Sequence, residues 1–320
     1  MNTPPLDRRA LGRMLTRIAN GDVLELATRP PLPAPRNLAR RIGITGAPGA
    51  GKSTLLGQLA LARLAKGRIG VLAVDPSSPR SGGAILGDRI RMDELDGSAE
   101  LYIRSLGSRG TSDGLADNLP EMLDGMDAFG FSEVLLETVG VGQTEYAARH
   151  QVDTLVLLLL PESGDTVQAM KAGIMEMADI FVVNKADLPG AQRVATDIQR
   201  IAAITRHADG VWIPPVLLTA ASQPASILGL SEAIDRHQAW LGDGGRQQAL
   251  CEQRARYRLR RVIEARAAAV IAQQDSGFFA LPIQQQVQHI ASMVGAGSTP
   301  AVRLSIARFG EIGGKGAAIY

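Results

Sequence analysis

The stretch that decides the fold reads Ile42-Gly-Ile-Thr-Gly46-Ala-Pro-Gly-Ala-Gly-Lys52-Ser53-Thr-Leu-Leu. It contains the full pattern G-x-x-x-x-G-K-[ST], with a β-branched run before it and helix-forming residues after it. In that context the glycines let backbone N–H groups converge on an anion at the start of a helix. The sequence therefore predicts a phosphate-binding loop, with nucleotide contacts from Gly46, Ala47, Pro48, Gly49, Ala50, Gly51, Lys52, Ser53 and Thr54.

Two side chains of this loop have predicted roles in phosphate chemistry. Lys52 is expected to reach the β- and γ-phosphates of a nucleoside triphosphate and to act in catalysis. The hydroxyl of Ser53 is expected to bind Mg²⁺. The alternative, a glycine-rich turn that arose by chance, is disfavoured because strand, loop and helix signals occur together.

The pattern on both sides of the loop is that of an α/β fold. Short apolar runs occur at residues 41–45, 69–75, 101–105, 133–137, 154–160, 180–184 and 216–219. Several have consecutive apolar residues, as strands buried on both faces do. Helical stretches such as 52–66 and 166–177 lie between them, which indicates βαβ units. We predict a P-loop NTPase with a mostly parallel sheet flanked by helices.

The flanking segments divide the chain into three predicted regions. Residues 1–38 form an N-terminal segment, in which helical spacing of Leu11, Met14, Leu15 and Ile18 predicts one amphipathic helix before a proline-rich linker at 29–35. Residues 39–240 form the nucleotide-binding domain. Residues 241–320 form a helical extension, with helices predicted at 246–274, 281–294 and 299–308 and a loose end at 310–316.

Composition excludes several functional classes. With 34 basic and 32 acidic residues and 4% aromatic residues, nothing indicates nucleic-acid binding. Cys251 is the only cysteine, so neither an internal disulfide nor a cysteine metal site is expected. The four histidines are scattered without ligand spacing. No secretory signal and no span long enough for a bilayer is found, so we expect a cytoplasmic protein.

The pattern N-K-x-D predicts which base is bound, in the form Asn184-Lys185-Ala-Asp187. A carboxylate at Asp187 can accept from both N1–H and the 2-amino group of guanine, whereas adenine would leave it unpaired. Asn184 is expected to brace the loop, and the stem of Lys185 to cover the ring. Thr219 and Ala220 follow the last strand and are weaker candidates for the pocket edge. The alternative is an ordinary surface turn.

Acidic residues at strand ends are candidates for the metal site and the switch. Glu137 ends a buried strand and is expected to hold Mg²⁺, and the N–H of Gly140 to bond the γ-phosphate. Asp75 and Asp88 are further candidate metal ligands, with helix or loop capping as the alternative. Gln143 is a candidate to orient water, although a surface polar residue is at least as plausible.

Lysine usage adds one more candidate. Only five lysines occur in the chain, and two of them stand where the nucleotide motifs require lysine. A third, Lys171, follows the strand at 154–160, and we infer a mobile contact to an acidic residue near the nucleotide. The alternative is a solvated helix lysine.

These blocks together are similar to the MeaB/ArgK family of GTPases. The similarity rests on residues 46–54, 74–92, 137–145, 164–179 and 184–187, and it covers roughly 39–240. The blocks Asp75-Pro-Ser-Ser and Glu137-Thr-Val-Gly-Val-Gly-Gln are far more specific than the phosphate loop. The sequence departs from the family in its short proline-rich N-terminus and in the segment after Thr219.

The resemblance implies a GTP-hydrolysing chaperone of an adenosylcobalamin-dependent acyl-CoA mutase, of the methylmalonyl-CoA mutase type. It implies GTP or GDP and Mg²⁺ as ligands, and a homodimer joined through the C-terminal helices. Two other functions stay open: a kinase linked to lysine/arginine/ornithine transport, and a metal-insertion GTPase. The guanine motif counts against ATP, and the sequence has no histidine- or cysteine-rich metal store.

Overall fold

A computed structural model describes residues 5–30, 38–75, 98–107, 118–138, 147–161, 176–204 and 211–296. The chain divides into two compact units, Met1–Arg258 and Leu259–Tyr320. The first unit contains a seven-stranded sheet. Its strands are β1 (Arg40–Gly46), β2 (Ile69–Asp75), β3 (Leu101–Gly107), β4 (Glu133–Glu137), β5 (Thr154–Leu159), β6 (Ile180–Val183) and β7 (Val216–Leu218).

All pairs in this sheet are parallel, in the order β3-β2-β4-β1-β5-β6-β7. Strand β1 lies between β4 and β5, with Ile44 opposite Glu137 on one side and Val156 on the other. The α/β fold expected from the sequence is confirmed, and each predicted strand is present within two residues at either end. Because the strands are parallel, their carboxyl ends meet at one edge, where α/β proteins bind ligands.

Helices cover both faces of the sheet. The helices whose bounds the structure gives are α1 (Arg8–Ala19), α2 (Val23–Thr28), α3 (Lys52–Arg63), α4 (Leu119–Ala128), α5 (Ala191–Ile204), α6 (Pro224–Gly242), α7 (Arg246–Ala272), α8 (Ser276–Phe279) and α9 (Ile283–Ala296). A 3-10 turn, Leu64–Lys66, follows α3. The predicted helix at 52–66 is therefore an α-helix closed by a tighter turn.

Alternate residues of each strand supply the cores on the two faces. On one face α3 and α6 pack against Val71, Ala73 and Leu135. On the other face α1 and α4 pack against Leu72 and Val74. The helix α5 packs against β5 and β6 in a third cluster. The phosphate loop thus connects a strand that is buried from Arg41 to Gly46 to a helix that is itself part of the core.

The N-terminal helix was predicted from its apolar spacing, and α1 confirms it. Leu11, Leu15 and Ile18 are buried against α4, and Asp7 caps the helix by accepting from Ala10 N at 2.8 Å. The prediction of a single helix before the proline-rich linker was wrong, because α2 follows. The carboxylate of Asp22 accepts from Leu24 N at 2.8 Å and starts this second helix.

The second unit is helical over its described residues. Helix α9 begins after Pro282, two residues later than predicted, and Arg266 Nε donates to Val294 O at 3.1 Å. Large apolar side chains are exposed in this unit, namely Leu259, Ile263, Ile271, Phe279, Leu281, Ile283, Val287 and Met293. The helix predicted at 299–308 and most of the one at 166–177 lie outside the described residues. No helix in the described ranges is long and apolar enough to cross a membrane.

A buried polar cluster lies at the opposite edge of the sheet from the phosphate loop. His237 of α6 is fully buried, and its Nδ1 lies 2.9 Å from Thr154 Oγ1 at the start of β5. Its Nε2 lies 3.4 Å from Asp179 Oδ1. Burial, reinforced by the charge of Arg149, lowers the pKa of His237 to about 3. This imidazole is therefore neutral in the folded protein at neutral pH.

Stability should consequently fall as the pH drops below the ordinary histidine pKa of about 6.5. Between that pH and the native pKa of about 3, the unfolded chain binds a proton that folded His237 does not. This group alone is expected to lower the free energy of unfolding by about 2 kcal/mol between pH 7 and pH 5. Urea unfolding at both pH values measures the change.

The His237→Gln variant should lose this part of the pH dependence, whatever its stability at pH 7. His289→Gln is the matched control, because it makes the same substitution at an exposed histidine. An identical pH dependence in wild type and His237→Gln would contradict the prediction.

Candidate nucleotide-binding site

The phosphate loop, residues 46–53, connects the end of β1 to the start of α3. Gly46, Gly49 and Gly51 have φ values of +145°, +79° and +84°, which side chains rarely adopt. A Cβ on Gly46 would lie 2.3 Å from Leu158 O. A Cβ on Gly51 would lie 2.7 Å from Asn184 Nδ2. Glycine is therefore required at both ends of the loop, for backbone conformation and for space.

The ammonium group of Lys52 is held over this loop. Lys52 is buried, and its Nζ donates to Gly46 O at 2.9 Å and to Ala47 O at 3.1 Å. The loop also closes on itself, because Ala50 N donates to Ala47 O at 3.1 Å. A positive charge and the first turn of α3 thus lie at one place, the arrangement that favours a bound phosphate.

Ser53 and Glu137 form a pair of oxygen groups beside the loop. Ser53 Oγ donates to Glu137 Oε1 at 2.8 Å, and Glu137 ends β4 with its side chain buried. Strand register places Ala73 opposite Glu137, so Asp75 lies two residues farther along β2 at the same edge. The side chain of Asp75 and all of Asp88 lie outside the described residues.

A further contact, between β1 and the residue that follows β4, was not predicted from sequence. Thr138 Oγ1 donates to Thr45 Oγ1 at 2.9 Å, and both side chains are buried. Thr138 N also donates to Ile44 O at 3.2 Å. Thr138 therefore fixes the point at which β4 leaves the sheet toward residues 139–146. Those residues, with Gly140 and Gln143, and also Lys171, lie outside the described part of the chain.

The base loop, residues 184–187, follows β6 and contacts the phosphate loop directly. Asn184 is buried, its Nδ2 donates to Ala50 O at 2.7 Å, and its Oδ1 accepts from Thr219 Oγ1 at 2.9 Å. Ala186 N donates to Thr219 O at 2.9 Å. One amide side chain thus connects the phosphate loop, the base loop and the turn after β7.

Lys185 and Asp187 differ from Asn184 in exposure, since both face solvent. Lys185 has φ +55°, and among the described residues no other side-chain-bearing residue has a positive φ. Such a conformation persists only where neighbouring bonds impose it. Here those bonds are Asn184 N to Leu159 O at 2.9 Å and Leu188 N to Lys185 O at 2.9 Å.

The turn after β7 contains Thr219 and Ala220 and borders the base loop. Both residues are buried, and Ala220 N donates to Ser226 Oγ at 3.2 Å. Gln58 of α3 adds an unpredicted contact by donating through Nε2 to Ala221 O at 3.1 Å. No sequence motif identifies Gln58, because its role depends on α3 lying beside this turn.

The donor set at the phosphate loop is compatible with Mg²⁺, which prefers hydroxyl, carboxylate and phosphate oxygens. Ser53 and Glu137 supply two such groups 2.8 Å apart. The described residues contain no group of three or more histidine, cysteine or acidic side chains arranged as a metal site. Magnesium in nucleotide sites needs no such group, since it is bound through one or two protein ligands and the phosphates.

Comparisons with known proteins agree with this geometry. The family model described as methylmalonyl Co-A mutase-associated GTPase MeaB matches residues 32–275. A protein of Pyrococcus abyssi named as a GTPase is 40% identical over 272 residues, which cover 83% of this chain and 82% of that protein. The mouse protein named methylmalonic aciduria type A homolog, mitochondrial, is 38% identical over 205 residues, covering 63% of this chain and 49% of that protein.

The fold is also found among solved structures. The crystal structure titled LAO/AO transport system kinase covers 90% of this chain and 98% of its own, with a TM-score of 0.59 and 23% identity. At that identity the likeness concerns the fold alone.

Proposed function

The chain belongs to the MeaB family of GTPases and hydrolyses GTP to GDP and phosphate, and on that premise we propose that it is a chaperone of an adenosylcobalamin-dependent acyl-CoA mutase. The partner we propose is of the methylmalonyl-CoA mutase type. Hydrolysis would gate cofactor loading and protect the mutase from inactivation. The observation that supports nucleotide binding is the contact of Asn184 with both Ala50 and Thr219, which joins the phosphate loop to the base loop.

We assign the following roles within the nucleotide site. Backbone N–H groups of residues 46–54, except that of Pro48, which has none, bind the phosphates, and Lys52 stabilises the charge that develops on them. The Asp187 carboxylate accepts hydrogen bonds from guanine, and the Lys185 stem covers the ring. Thr219 and Ala220 border the base. We propose that the N–H of Gly140 bonds the γ-phosphate. We propose that Lys171 makes a mobile contact to an acidic residue near the nucleotide.

Mg²⁺ is the metal we propose, held by Ser53 directly and by Glu137 directly or through water. Asp75 and Asp88 remain further candidates for the same edge of the sheet. When bound, the metal neutralises charge on the β- and γ-phosphates. The chain's own contribution is to hold the Ser53 hydroxyl and the Glu137 carboxylate beside the phosphate loop, at 2.8 Å from each other.

Ser53→Ala should raise the Mg²⁺ concentration needed for half-maximal GTP hydrolysis at least about tenfold, because one oxygen ligand is lost. Titration of hydrolysis with MgCl₂ after treatment with a chelator measures this. Ser226→Ala is the control, since Ser226 also carries a hydrogen-bonded hydroxyl but lies beside Ala220 rather than the phosphates. An unchanged Mg²⁺ requirement in Ser53→Ala would contradict the metal assignment.

A GTP-dependent contact with the mutase is the prediction that tests the partner. The affinity of the protein for purified methylmalonyl-CoA mutase should differ between GDP and a non-hydrolysable GTP analogue by about 5- to 150-fold, the usual range of coupling between two sites. Calorimetry with each nucleotide measures it, and an acyl-CoA enzyme without cobalamin is the control. No binding in either state, with no change in either enzyme's rate, would refute the mutase function.

We also propose that residues 241–320 form a homodimer interface. The support is the set of exposed apolar side chains in the second unit, because such surfaces mark protein contacts. Light scattering should give a dimer for the wild type and a monomer for Ile283→Glu with Val287→Glu. A wild-type monomer at all concentrations would contradict it.

A further inference from the structure

The exposed side of α1 carries an arginine stripe, formed by Arg9, Arg13 and Arg17. Residues four apart lie on one face of a helix, with their Cα atoms about 6 Å apart along the axis. The three guanidinium groups therefore point from the same surface, while Leu11 and Leu15 of the same helix are buried. The stripe belongs to no part of the nucleotide site.

The stripe borders a shallow groove with further basic and polar groups. The groove has a volume of about 510 Å³ and is lined by Arg8, Arg9, Gly12, Arg13, Thr16, Arg17 and Asn20. Arg104 of β3 approaches the same helix, donating through Nη1 to Gly12 O at 3.3 Å and through Nη2 to Thr16 Oγ1 at 3.1 Å. A second element of the fold therefore adds positive charge to this surface.

The charges of the stripe repel one another, because like charges four residues apart destabilise a helix. Arg9 in the first turn also opposes the helix dipole, whereas Arg17 in the last turn is favoured by it. Within the described ranges, Arg9, Arg13 and Arg17 form no ion pair with a carboxylate. The first turn of α1 also contains no acidic residue. An external anionic surface would remove this repulsion.

We propose that the arginine stripe docks an acidic surface of a partner protein. Arginine forms paired hydrogen bonds with carboxylates, and spacing by one helical turn matches carboxylates on a facing helix. The inference rests on the proposed function in one respect, namely that the partner is the mutase.

Other occupants fit this surface less well. A small phosphate ligand needs a concave pocket that buries most of its surface, whereas this groove is open and flanks a single helix. A membrane needs exposed apolar side chains, but the apolar side of α1 is buried against α4. Single-stranded nucleic acid needs stacking aromatic rings, and none lines the groove.

The test compares two variants of the full-length protein that carry the same change in net charge. One reverses the stripe, Arg9→Glu with Arg13→Glu and Arg17→Glu. The control reverses three exposed arginines elsewhere, Arg193→Glu with Arg200→Glu and Arg236→Glu. Binding to purified methylmalonyl-CoA mutase is measured by biolayer interferometry at 50 mM and 500 mM NaCl, and GTP hydrolysis is measured without mutase.

The stripe variant should bind at least about tenfold more weakly at 50 mM NaCl, chiefly through slower association. The control should stay within about threefold of the wild type, and high salt should reduce the difference. Hydrolysis without mutase should be unchanged in both variants. Equal losses in the two variants, or none in the stripe variant while the mutase binds normally, would overturn the proposal but leave the proposed function intact.

A second probe separates failure of the stripe from failure of the mutase function. A helical peptide with glutamate at every fourth position should bind the wild type and the control but not the stripe variant, as measured by fluorescence anisotropy. If this peptide binds the wild type but the mutase does not, the result supports an acid-binding role of the stripe and refutes the mutase as its partner. Stripe-dependent binding of RNA or of anionic vesicles that exceeds peptide binding overturns the proposal.

A neutral variant, Arg9→Gln with Arg13→Gln and Arg17→Gln, should fold normally. Its loss of affinity for the mutase should lie between those of the control and of the charge-reversed stripe variant.

Discussion

Lys52→Ala is expected to lower the rate of GTP hydrolysis about 100- to 1,000-fold, the usual effect of removing one group that stabilises developing charge. In the structure Lys52 Nζ is already held above the phosphate loop by Gly46 O and Ala47 O, at 2.9 and 3.1 Å. Among the described residues, no other lysine lies in this loop. Single-turnover hydrolysis at saturating GTP measures the effect.

Lys66→Ala is the matched control for this variant. Lys66 lies in the 3-10 turn just after α3 and forms an ion pair with Asp235, away from the phosphate loop. Its removal should leave hydrolysis within about twofold of wild type, since partly exposed ion pairs contribute little. If Lys52→Ala folds normally and hydrolyses GTP within about threefold of the wild-type rate, the assigned role of Lys52 is wrong.

The second large effect is expected for Asp187→Asn, which should weaken GTP binding roughly 100-fold or more. The carboxylate can accept two hydrogen bonds from guanine, and each bond to a charged group contributes about 1.5–3 kcal/mol. An asparagine amide would still accept from N1–H, but its NH₂ would face the 2-amino group of guanine, donor against donor. Xanthine carries a carbonyl there, so the variant should prefer xanthosine triphosphate.

Competition between GTP and xanthosine triphosphate for a fluorescent GDP analogue measures this reversal. Asp197→Asn is the control, because Asp197 is an acidic residue of α5, outside the base loop, and pairs with Arg200 at 3.7 Å. It should keep the wild-type order of preference. A tight GTP complex in Asp187→Asn would show that another residue reads the base.

The strands of this fold could be predicted well because a buried parallel strand depends mainly on its own sequence. Strands β4, β5 and β6 are buried along their whole length, so their apolar runs are uninterrupted and easy to recognise. Strand order was not predictable, since it depends on contacts such as Ile44 opposite Glu137 that join distant parts of the chain. Helix α2 has only six residues, too few to show a helical period, so its Asp22 cap is the main signal for it.

The residues of the candidate site also differ in how far the sequence alone predicts them. The glycine and lysine of the phosphate loop and the asparagine of the base loop could be identified, because backbone conformation and base chemistry restrict those positions to one residue type. Thr45, Thr138 and Gln58 could not, because ordinary threonines and glutamines occur everywhere in sequences. Their importance depends on neighbours that only the folded chain provides.

The contact of Asn184 with Ala50 and Thr219 has a consequence for the entropy of nucleotide binding. The two loops are joined by folding itself, so a nucleotide need not immobilise one loop relative to the other. The binding free energy from base and phosphates is then reduced less by ordering of the protein. Conversely, a motion of residues 46–53 that opens the phosphate end would strain the hydrogen bond at Asn184. Release of GDP would therefore loosen the base and the phosphates together rather than one after the other.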